Sequence, residues 1–180
     1  MRLPLLLVTF AASPALANPI VIGATIGLEQ PKSTSVSDNG TTGSQLLGLF
    51  GRMTISGRLA GQLEVARIAT PANSQMDVRV GSALFVYDLA SGPLVPVLLA
   101  GAGAAQQSMT YGSQTFIHAE AGIGLELRIK NGFILGVDAR IGTRSNTTGP
   151  IAMPESYYSP IPPIAEGEYR SVRLGLGVTF

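Results

Sequence analysis

Along most of the chain, apolar and polar residues alternate at every second position, the period of a strand with one oily face. The alternation predicts eight strands, over 19–30, 45–56, 59–70, 77–88, 94–106, 114–129, 133–145 and 169–180. Most reach or exceed the about 9–11 residues that a tilted strand needs to cross a bilayer. In the seventh, Phe133, Leu135, Val137, Ala139 and Ile141 share one face, while Ile134, Gly136, Asp138, Arg140, Gly142 and Arg144 share the other. The sixth sets Ile117, Ala119, Ala121, Ile123, Leu125, Leu127 and Ile129 against His118, Glu120, Gly122, Gly124, Glu126 and Arg128. The second, third and eighth divide in the same way. The fifth is the least regular, because Leu94–Ala105 lacks clear alternation and Pro96 removes a ladder donor. It could start only at Val97, with the proline at the rim.

The connections alternate in length. Longer ones follow strands one, three, five and seven: Pro31–Ser44, Pro71–Met76, Gln107–Ser113 and Asn146–Glu168. Short ones follow strands two, four and six: Gly57-Arg58, Leu89–Pro93 and Lys130-Asn131-Gly132. Gly-x and Asn-Gly pairs suit tight hairpins. With both termini on the inner side, an eight-stranded barrel needs four outer loops and three inner turns, and membrane barrels keep the inner turns short. The fold class predicted is all-β, an antiparallel up-and-down barrel of eight transmembrane strands.

The two faces differ in charge. One is nearly uncharged, its exceptions being Arg67 and Arg170 near the predicted outer rim, where long side chains can snorkel to headgroups. The other mixes Gly, Ser and Thr with both signs: Glu29, Glu64, Glu120, Glu126 and Asp138 against Arg52, Arg79, Arg128, Arg140 and Arg173, with His118 beside them. A charge at mid-bilayer costs roughly 2–4 kcal/mol for Arg or Lys, so the uncharged face is assigned to lipid. The charged face then lines a lumen in which ions of opposite sign pair, because isolated buried charges are too costly. A barrel of this size has an interior just wide enough for side chains to fill. The prediction is a structural charge network in a plugged interior.

Composition agrees. Only 13% of residues are charged and 46% are apolar, against about 25% charged in a typical soluble chain. The net charge of +1 gives no case for nucleic acid. Cysteine is absent, which excludes disulfides, thiolate metal sites and a Cys nucleophile. At the N-terminus, Arg2, the apolar run Leu3–Ala12 and the small residues of Ala15-Leu16-Ala17 have the pattern of a secretory signal. The expected division is a signal peptide over 1–17 and a barrel domain over 18–180.

The last strand, Tyr169–Phe180, resembles the terminal strand of bacterial outer-membrane barrels: Val172, Leu174, Leu176 and Val178 alternate towards a final Phe180. With the signal, the whole mature chain resembles the small OmpA/OmpX-type and opacity-type barrels. The resemblance implies an outer-membrane location after export through the periplasm, contact with outer-membrane lipid and lipopolysaccharide, and Phe180 as a signal to the barrel-assembly machinery. With no Trp in the chain, an aromatic girdle would rest on residues such as Tyr87, Phe133, Tyr169 and Phe180.

Candidate chemistry is sparse. His118 and Glu120 share a face, which suits a general base, but no serine is tied to them by a motif. Neither a metal cluster nor a phosphate loop is recognisable, and no cofactor is expected. The proline-rich 146–168 segment, with Tyr157 and Tyr158, is the candidate contact surface for an extracellular partner. The function expected is a non-catalytic, monomeric outer-membrane barrel with a structural or surface-interaction role. The alternatives are a narrow ion channel, a lipid A-modifying or proteolytic enzyme, and a secreted soluble lipid-binding barrel.

Overall fold

A computed structural model describes residues 19–31, 43–69, 77–109, 112–148 and 166–180. The expected signal over 1–17, and Tyr157 and Tyr158 with most of the 146–168 segment, lie outside the described residues.

Eight strands form: β1 (Ile20–Pro31), β2 (Ser44–Ser56), β3 (Leu59–Ala69), β4 (Asp77–Asp88), β5 (Leu94–Met109), β6 (Gly112–Ile129), β7 (Phe133–Asn146) and β8 (Gly167–Thr179). Each pairs antiparallel with its sequence neighbour, and β1 pairs with β8 from Val21↔Thr179 to Pro31↔Tyr169, which closes the barrel. The seam is finished by Phe180 N–H donating to Ile20 O at 2.8 Å. The three short turns fall where the alternation stops. In the third, Asn131 and Gly132 take φ of 90° and 84°, the left-handed geometry that an Asn-Gly pair reaches at least cost.

The fifth strand begins at Leu94, the start first assigned to it, and Pro96 lies inside it rather than at a rim before Val97. The carbonyl of Pro96 accepts from Leu89 N at 2.9 Å, so the missing N–H falls on the turn side, where β4 has already ended. The connection placed over Gln107–Ser113 shrinks to residues 110–111, because β5 and β6 stay paired up to Met109↔Gly112. Polar residues there end the oily face without ending the ladder.

Outward positions carry the apolar residues. Leu47, Leu63, Ile123 and Ile141 are 64%, 63%, 66% and 65% exposed, far beyond what a water-facing surface tolerates around a full ring. Among the described residues this belt contains no charge until the end bearing the longer connections. There every strand turns polar outward: Gln30, Gln45, Arg67, Arg79, Gln106, Thr115, Thr143 and Arg170. The turn end closes instead on Tyr87, Phe133 and Phe180, all exposed.

The interior is layered. Leu46, Ile68, Val78, Val80, Ala105 and Phe116 form an apolar cluster towards the loop end, and Val86, Val95, Val97 and Leu99 form another at the β4–β5 turn. Charged side chains fill the rest. Glycine lets them fit. A Cβ on Gly142 would stand 2.5–2.6 Å from the Tyr169 ring and hydroxyl, so the tyrosine lies flat on bare backbone. Gly142→Ala is expected to lower stability by about 1–3 kcal/mol through overpacking. The check is a fall in the urea midpoint in detergent, with Gly51→Ala unchanged, since nothing lies within 4 Å of a Cβ there.

Candidate functional site

Seven of the eight strands, all but β5, contribute acidic or basic side chains that meet one another across the lumen. At the turn end, Asp88 pairs with Arg128 at 2.7 Å, Arg128 with Glu126 at 3.0 Å, and Glu126 with Arg52 at 2.5 Å. Arg52 Nε donates to Gln62 Oε1 at 2.6 Å, and Gln62 Nε2 donates to Glu64 at 2.5 Å. Glu64 is the hub. It receives Arg140 at 2.8 Å from β7 and Arg173 at 2.6 Å from β8. Arg140 also holds Asp138 at 2.6 Å and Glu120 at 3.4 Å, and Arg173 reaches Glu120 at 3.3 Å. Towards the loop end, Tyr169 Oη donates to Glu120 at 3.3 Å, the Arg144 guanidinium stacks on the Tyr169 ring at 3.9 Å, and Arg144 forks onto Glu29 at 2.5 and 2.8 Å. The chain of contacts therefore runs from one mouth to the other.

Solved structures repeat this architecture. The chain matches Neisserial surface protein A (NspA) at 15% identity and a TM-score of 0.65, covering 89% of this chain and 97% of that one. It matches the N-terminal β-barrel domain of Pseudomonas aeruginosa OprF at 15% identity and 0.52, covering 89% and 97%. The outer membrane protein OprG from Pseudomonas aeruginosa matches at 10% identity and 0.51, covering 91% and 96%. The fold is that of the eight-stranded outer-membrane barrels. No protein-family model matches the chain, and no curated protein matches it in sequence.

In this outer-membrane-type barrel, Glu29, Arg52, Glu64, His118, Glu120, Glu126, Arg128, Asp138, Arg140 and Arg173 all point inward as expected. Arg79 does not. It is exposed on the outward face, directly opposite Arg67 in the β3–β4 ladder. Placing it inside would have turned Phe85 and Tyr87 into the lumen with it, because one strand cannot divide its alternation. Arg144 supplies the missing interior cation. Tyr169, proposed for the girdle, is also inside, 2% exposed. Its parity with Ser171 and Arg173 carried that information. Gln62 and Asp88 join the network as well, the first being legible by parity and the second lying at a strand end.

Sequence reasoning found no serine for His118. The structure brings Ser82 to it, Oγ 3.0 Å from His118 Nε2, through the β4–β5–β6 register. A working triad needs a carboxylate on the other ring nitrogen. Glu120 is engaged instead by Arg140, Arg173 and Tyr169, and His118 Nδ1 has no hydrogen-bond partner among the described residues. Ser82 and His118 are 7% and 5% exposed, which closes the pair to a bulky substrate. Among the described residues, no group of three His, Asp or Glu could hold a metal ion.

The space left is small. A central void beside Arg52, Glu64 and Arg140 measures about 30 Å³, room for a water or two at about 10–15 Å³ each. At the turn-end mouth a wider space of about 350 Å³ lies between Arg52, Arg58, Asp88 and Arg128.

Proposed function

We propose that the chain is a non-catalytic outer-membrane barrel whose filled lumen makes it a platform for contacts at the end carrying the long connections. The observation that carries this reading is the cross-wall network around Glu64, which leaves about 30 Å³ at the centre. Such an interior neither conducts freely nor admits a substrate. The outward apolar belt supports membrane insertion, and the polar rim where β1, β3, β5 and β7 end supports reading that end as the one that meets the outside. Exposed Phe180, fixed beside Ile20 at the seam, supports recognition of the last strand during assembly.

The mature chain refolded in detergent is expected to migrate differently before and after heating, and to show no discrete conductance in planar bilayers. Deleting residues 147–166 should leave both properties intact and abolish surface binding by intact cells. Discrete conductance steps would support an ion path instead. A chain monodisperse in buffer without detergent would be a soluble barrel, and the reading would fall.

A further inference from the structure

The turn-end mouth has two halves of different chemistry. Its floor is apolar. Val21, Leu59, Ala60 and Ile134 line it, and Ala60 packs against the cluster of Val86, Val95, Val97 and Leu99. Its rim is cationic, with Arg52, Arg58 and Arg128 around the same space of about 350 Å³. A concave space of about 300–1,000 Å³, mostly apolar and with a few convergent polar groups, is what a small-molecule site requires.

The rim carries one positive charge more than its ion pairs consume. Three guanidiniums meet two carboxylates, Asp88 and Glu126. Asp88 takes both Nη atoms of Arg128, at 2.7 and 2.8 Å. Glu126 takes Arg128 at 3.0 Å and Arg52 at 2.5 Å. Arg58 is left over. It is exposed in the β2–β3 turn, makes no ion pair among the described residues, and donates to the Leu89 carbonyl at 3.4 Å. The turn that carries it is tied to β4, because Asp88 N–H donates to the Arg58 carbonyl at 2.9 Å. Arg52 spends Nε on Gln62 and Nη1 on Glu126, and its Nη2 takes part in neither bond.

We infer that this mouth binds a small carboxylic acid with an apolar body, its carboxylate held by Arg58 and Arg52 and its body on the Val21–Ala60 floor. A guanidinium fork matches the two oxygens of a carboxylate. One carboxylate also equals the surplus of one charge, whereas a phosphate dianion would exceed it and repel Asp88 and Glu126. The site lies below the filled interior, so occupancy requires no passage through the lumen. It goes beyond the proposed surface role and does not depend on contacts at the other end of the barrel.

The test titrates hexanoate into the barrel refolded in nonionic detergent and follows the arginine side-chain N–H signals by NMR. Hexanoate should shift the Arg58 and Arg52 signals saturably, with a Kd of about 1 mM or tighter. Hexanol keeps the body without the charge and acetate the charge without the body; each should bind about tenfold more weakly. Hexyl phosphate should bind no more tightly than hexanoate. Arg58→Gln should weaken hexanoate about tenfold and leave heat-dependent migration unchanged, since no ion pair is broken. Thr54→Leu, which fills part of the space, should weaken it with Arg58 in place. Lys130→Gln, in a neighbouring turn outside the lining, should leave the affinity as it is. Hexanol, acetate or hexyl phosphate binding better than hexanoate, an Arg58→Gln barrel that keeps its affinity, or an equal loss from Lys130→Gln would overturn the inference. The failures are distinguishable. A folded, non-conducting barrel that ignores hexanoate sinks this site alone, whereas discrete conductance in a barrel that still binds hexanoate sinks the filled-lumen reading and spares the site.

Discussion

Glu64→Leu is expected to destabilise the barrel by about 3–5 kcal/mol, the cost of stripping a partner from buried charges. Arg140 and Arg173 both converge on this carboxylate, and their side chains are 2% and 3% exposed. Adding Arg140→Met should not restore stability, because it releases Asp138 and Glu120 in turn. The Glu29–Arg144 pair should behave differently. It joins β1 to β7 with both side chains 2% exposed, and Arg144 grips both oxygens of Glu29. Glu29→Leu alone should cost a similar amount, and Glu29→Leu/Arg144→Met should regain most of it, since an apolar replacement of a whole buried pair is often neutral. Urea unfolding of the six variants and wild type in one detergent would give both cycles. A double variant at Glu64 and Arg140 as stable as wild type would show that the hub is only a pair.

The second large effect concerns the other face. Ile123 lies midway along the outward run of β6, between Ile117 and Ile129, and is 66% exposed. Ile123→Arg is expected to cost roughly 2–4 kcal/mol in phospholipid vesicles, whereas Thr115→Arg at the rim should cost about 0–1 kcal/mol. The depth dependence matters more than either value. A soluble barrel would present both positions to water, and neither arginine would be penalised. Equal, negligible effects at both positions would therefore remove the membrane from the account.

How far the sequence announces the structure depends on the contrast between two faces. In β7, Val137 and Ala139 alternate with Asp138 and Arg140, so period, register and side were all legible. In β4 the contrast is missing: Val78, Val80, Leu84 and Val86 fill the interior while Ala83, Phe85 and Tyr87 meet the outside. Either face could have been the oily one, and the lone Arg79 pointed to the wrong side because it sits where the belt ends. The apolar interior clusters went unforeseen for the same reason. Tyr169 shows the opposite error, a residue whose parity said lumen and whose ring suggested an interface. Contacts such as Ser82 with His118 follow from inter-strand register alone, which no local pattern encodes. The partners of Glu64 likewise come from β7 and β8, and only barrel closure selects them.

The crossing pairs have a mechanical consequence. Glu126–Arg52 ties β6 to β2, and Glu64 ties β3 to both β7 and β8, so opposite walls are fastened to each other like rim to spokes. A hoop braced in this way resists being squeezed into an oval by lateral pressure. Motion at the mouths can then proceed without deforming the cylinder that carries them.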